Sequence, residues 1–96
     1  MALLVIEYRL PTETVADYEA WKTVFDTDPI GRKATGATRH RIYRDEFEPN
    51  HFFLTMDFPT PGKAKGFLDH PMIRQSWEIA GAVEGRVLEE VESVVY

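Results

Sequence analysis

The sequence contains no cysteine and no long apolar run. Without cysteine the chain cannot form a disulfide, offer a thiolate nucleophile, or bind zinc or an iron–sulfur cluster through thiolates. The first ten residues lack the basic start and the long apolar stretch of a signal peptide. No segment approaches the roughly 20 apolar residues that a membrane-spanning helix needs. We therefore expect a cytoplasmic protein without a membrane partner.

Basic residues are also scarce, because 11 lysines and arginines face 16 aspartates and glutamates, for a net charge of −5. This balance argues against a nucleic-acid partner, which usually requires a basic surface. Five of the basic residues nevertheless fall between positions 32 and 44, namely Arg32, Lys33, Arg39, Arg41 and Arg44. This run is consistent either with solvated strand faces or with a local mouth that attracts anions. The sequence leaves both interpretations open.

The pattern of apolar residues predicts the order β-α-β-β-α-β within one domain, residues 1–96. Strands are predicted at 3–10, 37–45, 51–58 and 83–95, and the first helix begins at Thr12 or Thr14. A second helical region at 62–80 should break at Pro71, because proline disfavours helical geometry in the residue before it. This order predicts the α+β class, with a ferredoxin-like antiparallel sheet that has helices on one face.

The face of the sheet away from the helices is predicted to be partly apolar. In the first strand Leu3 and Val5 share one face with Glu7 and Arg9, and in the third strand Phe53 interrupts a row of polar residues, so neither face of these strands is purely polar. An exposed face of this kind is typical of a subunit interface. We therefore predict a homodimer that packs sheet against sheet, with the long fourth strand reaching the partner.

The resemblance to a known family rests on four segments: DYEAWKTVFD, GRKATGATRHRIYRD, HFFLTMDF and KAKGFLDHPMIRQSWEIAGAV. Together they resemble the dimeric α+β barrel superfamily, and within it the antibiotic biosynthesis monooxygenase-like proteins. The resemblance covers nearly the whole chain and implies a small-molecule pocket between the helices and the sheet. That family includes cofactor-independent oxygenases of polyketide anthrones, haem-degrading enzymes, polyketide cyclases and lactone isomerases. The fold therefore does not determine the activity.

Two histidines are predicted as catalytic acids or bases in that pocket, His40 and His70. His40 lies in mid-strand, and a one-residue change in hairpin register exchanges the face on which it lies. If it lies opposite Thr55, it joins the polar face; the other register, which separates apolar from charged residues better, places it among Phe52, Leu54, Met56 and Phe58. We favour this second register, in which desolvation would keep the imidazole neutral. The alternative role for His40 is structural.

The second histidine, His70, precedes Pro71, a pair that resembles a feature of some polyketide cyclases. The alternative for His70 is a helix-terminal residue without a ligand. His51 follows a turn and is predicted to be exposed. The aromatic residues predicted to contact a substrate are Tyr8, Trp21, Tyr43 and Trp77, although tryptophans on amphipathic helices often only fill the core.

No cofactor and no metal are predicted. A haem-degrading member would be expected to carry asparagine on the first strand, where this chain has Glu7, and His70 precedes Trp77 in the wrong order. The three histidines also lack ligand spacing on a helix. The expected partner is a small apolar or aromatic molecule, acted on by cofactor-independent oxygenation or cyclisation if the protein is an enzyme. The alternatives are a non-catalytic binding module and an interaction protein whose pocket is filled by its own aromatic residues. A pocket of about 300 Å³ or more would favour a ligand.

Overall fold

The computed structural model describes residues 1–10 and 15–96, and for residues 15–16 and 76–80 it describes the backbone alone. The predicted start of the first helix at Thr12 or Thr14 lies outside these residues. The elements follow the predicted order, with the second helical region divided in two: β1 (Ala2–Arg9), α1 (Val15–Asp26), β2 (Arg39–Arg44), β3 (His51–Phe58), α2 (Pro61–Leu68), α3 (Pro71–Ala80) and β4 (Ala82–Glu89).

The four strands form one antiparallel sheet in the order β2-β3-β1-β4. This is the predicted ferredoxin-like α+β fold. Successive side chains of a strand point to opposite faces of the sheet. The helices pack against one face of the sheet, called here the inner face. Its buried core side chains are Ala2, Leu4, Ile6, Tyr8, Phe52, Leu54, Met56 and Phe58. The other face, called here the outer face, carries Leu3, Val5, Glu7, Phe53 and Thr55.

The β2–β3 hairpin has the register that the sequence favours. His40 pairs with Met56 and Ile42 pairs with Leu54, so His40 lies on the inner face. This register places Ile42 with the aromatic and aliphatic side chains of β3 and leaves Arg39 and Arg41 opposite Asp57 and Thr55, which is the separation of apolar from charged residues that favours it.

The break between α2 and α3 occurs at Pro71, as predicted. Thr60 caps α2, because its hydroxyl accepts a hydrogen bond from the Lys63 backbone N–H and Pro61 occupies the first helical position. Chain direction changes at Asp69 and His70, and α3 then begins at Pro71. Two short helices thus replace one long helix.

The end of β4 differs from the prediction. The strand was expected to continue to residue 95, but it ends at Glu89, which pairs with Ala2 at the start of β1. One more backbone bond follows, from the Glu90 N–H to the Met1 carbonyl, and beyond it no described strand lies alongside. A strand continues only while a neighbour supplies backbone partners. Residues 90–96, called here the C-terminal arm, are exposed, with Val91 93% and Val95 95% accessible.

Candidate functional site

A cavity of about 260 Å³ lies between the inner face of the sheet and the helices. The sheet contributes its floor, α1 forms one wall, α2 and α3 form another, and the loop after α1 forms the mouth. Among the described residues, its lining is Ile6, Tyr8, Trp21, Val24, Phe25, Asp28, Pro29, Ile30, Arg32, Leu54, Phe67, Met72 and Ile73. Two of the four predicted substrate-binding residues, Tyr8 and Trp21, therefore meet here. The volume falls slightly below the value of about 300 Å³ that is typical of ligand pockets.

Four aromatic rings at the base of the cavity hold one another in place. Trp21 packs edge-on against Tyr8 and Phe52, with ring centroids 5.0 and 4.6 Å apart, and it stacks on Phe25 at 4.9 Å. Tyr8 also stacks on Phe52 at 5.1 Å. Aromatic pairs at these separations add stability beyond the area they bury. The site is thus a rigid aromatic wall.

Tyr8 supplies a polar atom to this apolar cavity. Burial raises the pKa of its phenol to about 12, although a hydrogen bond with the Trp21 side chain acts in the opposite direction. The phenol therefore keeps its proton at neutral pH. It can donate a hydrogen bond to a bound carbonyl or hydroxyl group, but it cannot act as a base there.

The mouth of the cavity is formed by a tightly wound loop after α1. Asp28 has a positive φ of 50°, an unusual value for a residue other than glycine. Its carboxylate accepts the Arg32 backbone N–H at 2.9 Å, and its carbonyl accepts the Gly31 N–H at 3.1 Å. Among the described residues that line the cavity, Asp28 and Arg32 are the only charged ones.

His40 lies beside the cavity rather than in its lining. It lines an adjoining open groove with Asp28, Arg32, Lys33, Gly36, Ala37, Thr38, Arg39 and Met56. Its ring packs edge-on against Phe25, with centroids 5.2 Å apart. Although the residue is exposed, desolvation of the ring lowers the pKa of His40, and the positive charges of Arg32 and Lys22 lower it further. The imidazole is therefore a neutral proton acceptor at pH 7, at the edge of the cavity.

His70 is placed at the start of α3, where it caps the helix. Its Nδ1 accepts the Met72 backbone N–H at 3.1 Å, and its carbonyl accepts the N–H groups of Ile73 and Arg74. The Nδ1 atom of His70 is thus engaged by the backbone at the start of α3. This geometry matches the helix-terminal alternative, and the described lining of the cavity passes through Met72 and Ile73 instead.

The remaining predicted residues lie elsewhere. Tyr43 is exposed on the outer face opposite Phe53, so the structure does not bring it to the cavity; strand alternation turns Ile42 inward instead. The side chain of Trp77 lies outside the described part of the chain. The prediction of an exposed His51 is wrong, because its side chain is only 13% accessible and its Nε2 lies 2.7 Å from Glu7 Oε2.

Several lining residues were not predicted as part of the site. Phe25 had been assigned to the apolar stripe of the first helix, which correctly indicated that it faces inward. Arg32 belonged to the basic run, whose position in the fold the sequence did not show. Among the described residues, no group of three or more histidine, aspartate or glutamate side chains is arranged to hold a metal ion. The helices described are all too short or too polar to cross a membrane.

These features define the class as a ferredoxin-like α+β protein with an apolar cavity between its helices and its sheet. Solved structures share this fold over nearly the full chain. One is a candidate antibiotic biosynthesis monooxygenase from Deinococcus radiodurans, with a TM-score of 0.68 and 15% identity, covering 100% of this chain and 97% of that chain. Another is a variant of SnoaB, a cofactor-independent oxygenase from Streptomyces nogalater, with a TM-score of 0.66 and 14% identity over 97% and 95% of the two chains.

A third similar structure is a dimeric ferredoxin-like protein from an uncultured marine organism, with a TM-score of 0.67 and 13% identity over 100% of both chains. No protein-family model and no curated protein matches the sequence. The structural matches support the antibiotic biosynthesis monooxygenase-like fold expected from the sequence resemblance. Identities this low show a common fold and leave the activity to be argued from the site.

Proposed function

We propose that the protein binds a small apolar or aromatic molecule in the cavity between the sheet and the helices. The observation that carries this proposal is the unfilled volume of about 260 Å³ beside Tyr8, Trp21 and Phe25. An apolar cavity of about 150 Å³ already accepts benzene, so a ligand of two fused rings is compatible with this volume. This volume also argues against the alternative raised by the sequence, an interaction protein whose pocket is filled by its own side chains.

The binding proposal can be tested by closing the mouth of the cavity. Val24 lines the cavity from α1 yet is largely exposed, so Val24→Trp should fill the entrance without disturbing the core. Binding of 2-naphthol, measured by isothermal titration calorimetry, should weaken at least tenfold in this variant. Thr23→Trp, one residue earlier on the same helix and outside the lining, is the control and should bind like the parent. Equal binding by all three proteins would place the ligand elsewhere, and no binding by the parent would refute the proposal.

A catalytic role is the second candidate, and the neutral His40 beside the cavity favours it. The reaction class is cofactor-independent oxygenation, the activity named for the similar SnoaB structure. A ligand that extends past Phe25 would bring an acidic CH₂ group towards His40, which could accept its proton. The resulting carbanion would reduce O₂, and an anthrone would leave as a quinone with loss of one water. Tyr8 would donate a hydrogen bond to the ligand's oxygen.

The catalytic proposal is tested by oxygen consumption with dithranol, a dihydroxyanthrone. His40→Ala should lower turnover by about 10²–10⁴-fold, the usual effect of losing a general base, while the melting temperature is kept. His70→Ala is the comparison, because a lost helix cap costs about 1 kcal/mol of stability and should not change turnover per folded molecule. If His40→Ala instead lowers the melting temperature and preserves turnover, His40 is structural; if His70→Ala lowers turnover, His70 is the catalytic group.

We also propose that the chain forms a homodimer through its outer face. Leu3, Val5 and Phe53 form a partly apolar strip there, and the exposed C-terminal arm extends beyond β4. The similar marine protein is named as dimeric, which fits this arrangement. Sedimentation at micromolar concentration should give about twice the 11.1 kDa chain mass. A monomer under those conditions would contradict the proposal.

A further inference from the structure

The apolar cavity and the groove that holds His40 lie side by side and share two lining residues, Asp28 and Arg32. The cavity side is lined almost wholly by aromatic and aliphatic side chains. Among the described residues, the groove is lined by three basic residues, Arg32, Lys33 and Arg39, and by one acidic residue, Asp28. A chain with a net charge of −5 therefore presents a local excess of positive charge next to its apolar cavity.

Arg32 is held in a fixed position at this junction. Its guanidinium stacks over the Phe25 ring, with the central carbon 3.8 Å from the ring centroid, and one Nη donates to the Phe25 carbonyl at 2.8 Å. The side chain is only 18% accessible. A cation that is already ordered loses little conformational entropy when it binds an anion. Arg32 should therefore pay a smaller entropic cost on binding an anion than a mobile surface arginine would.

The guanidinium also has donors to spare. It carries five N–H groups, and within the described part of the chain it donates one hydrogen bond, the one to Phe25. Asp28 does not saturate it, since the Nε–Oδ1 distance of 3.5 Å is that of an ion pair without a hydrogen bond, and this same oxygen accepts the Arg32 backbone N–H. A planar guanidinium with free N–H groups matches the two oxygens of a carboxylate.

We infer that the natural ligand is an amphipathic carboxylic acid, whose apolar or aromatic body occupies the cavity and whose carboxylate binds Arg32 at the boundary with the groove. This inference rests on the proposed binding function and narrows its substrate class. The neighbouring cations of Lys33 and Arg39 add long-range attraction for the anion. The beginning of the basic run, at Arg32, thus attracts anions to the entrance of the cavity.

The test compares two probes that differ in charge and hardly in shape, 2-naphthoate and 2-naphthamide, by isothermal titration calorimetry. The parent protein should bind the carboxylate about 10- to 100-fold more tightly than the amide, the range expected of a charge-assisted hydrogen bond. Arg32→Gln should remove that preference, so that it lowers the affinity for the carboxylate far more than the affinity for the amide. Arg32→Lys, which keeps the positive charge but lacks the planar guanidinium, should retain part of the preference for the carboxylate.

Arg44 offers a matched control, since it also stacks on an aromatic ring, with 4.2 Å to the Tyr18 centroid, but lines neither the cavity nor the groove. Arg44→Gln should leave both affinities unchanged. Equal binding of the two probes by the parent would overturn the inference and leave the binding function intact. So would an equal loss for both probes in Arg32→Gln, because that indicates a structural role. Failure of the parent to bind either probe would refute the binding function and the inference together.

Discussion

The inner and outer faces of the sheet are built from the same strands and differ in what covers them. On the inner face, Phe52 and Met56 are fully inaccessible beneath the helices. On the outer face, Phe53 is one residue away from Phe52 yet only half-buried, and its neighbours include Glu7 and His51. The inner face thus supplies the core that folds one chain. The outer face mixes apolar and charged side chains, a composition that fits the proposed dimer interface.

The adjacent phenylalanines give the largest expected contrast between the faces. Phe52→Ala should lower the free energy of unfolding by about 3–5 kcal/mol, because it leaves a cavity among packed aromatic rings. Phe53→Ala should cost about 1 kcal/mol or less in a single chain and should weaken association instead. Urea denaturation gives the first quantity and sedimentation gives the second. Equal losses of stability in the two variants would mean that the outer face is a second core.

The C-terminal arm provides a test of the outer face alone. Val91→Asp places a charge on an apolar arm residue and should raise the dimer dissociation constant about tenfold or more, since a buried valine contributes about 1.5–3 kcal/mol. The melting temperature of the dissociated chain should not change, because Val91 is exposed within one chain. Val24→Asp, on the helix side of the sheet, is the control and should sediment like the parent. An unchanged dissociation constant for Val91→Asp would exclude this residue from the interface.

The smallest expected effect lies in the polar turn that joins β2 to β3. The backbone N–H groups of Phe47 and Glu48, which donate to Asp45 Oδ1, lower the pKa of Asp45 below its ordinary value of 3.8. A lowered pKa in the folded chain means that the ionised carboxylate stabilises the fold at pH values above 3.8, and that this contribution disappears as the pH falls through the folded-state pKa.

Asp45→Asn should therefore show a small loss of melting temperature at pH 7 that vanishes in acid below that pKa. Thermal melts of the two proteins across this range make the comparison. A difference that persists at the lowest pH would mean that Asp45 acts through its shape and not through its charge.

Much of the fold could be predicted from the sequence because the alternation of apolar and polar residues along a strand is a strong signal. The residues of β3 alternate so regularly that Phe52, Leu54, Met56 and Phe58 must share one face, and the observed register is the one that adds Ile42 to that face and keeps Arg41 off it. Pro71 marks the helix break without reference to the rest of the chain. The end of β4 could not be predicted in this way. Residues 90–95 have strand composition, but strand length depends on whether β1 lies alongside, and a sequence pattern does not contain that information.

The candidate site was predictable only in part, for a similar reason. Tyr8 and Trp21 were found because each belongs to a periodic apolar stripe that must face the core. Tyr43 was assigned by its chemistry alone and lies on the outer face. His51 appeared exposed because it follows a turn, yet Glu7 from a distant part of the chain covers it. Arg32 stood out by charge, but its position over Phe25 is a contact between the loop and α1 that residue type does not predict.

The packing of Trp21 also gives the protein a built-in optical reporter. Its indole is almost inaccessible, contacts Tyr8, Phe25 and Phe52, and still forms part of the cavity wall. An indole shielded in this way emits at shorter wavelength than one in water, and a ligand that enters the cavity would change its emission. Replacing the second tryptophan, Trp77→Phe, would leave a single emitter, so that occupancy of the cavity could be followed by fluorescence without a label.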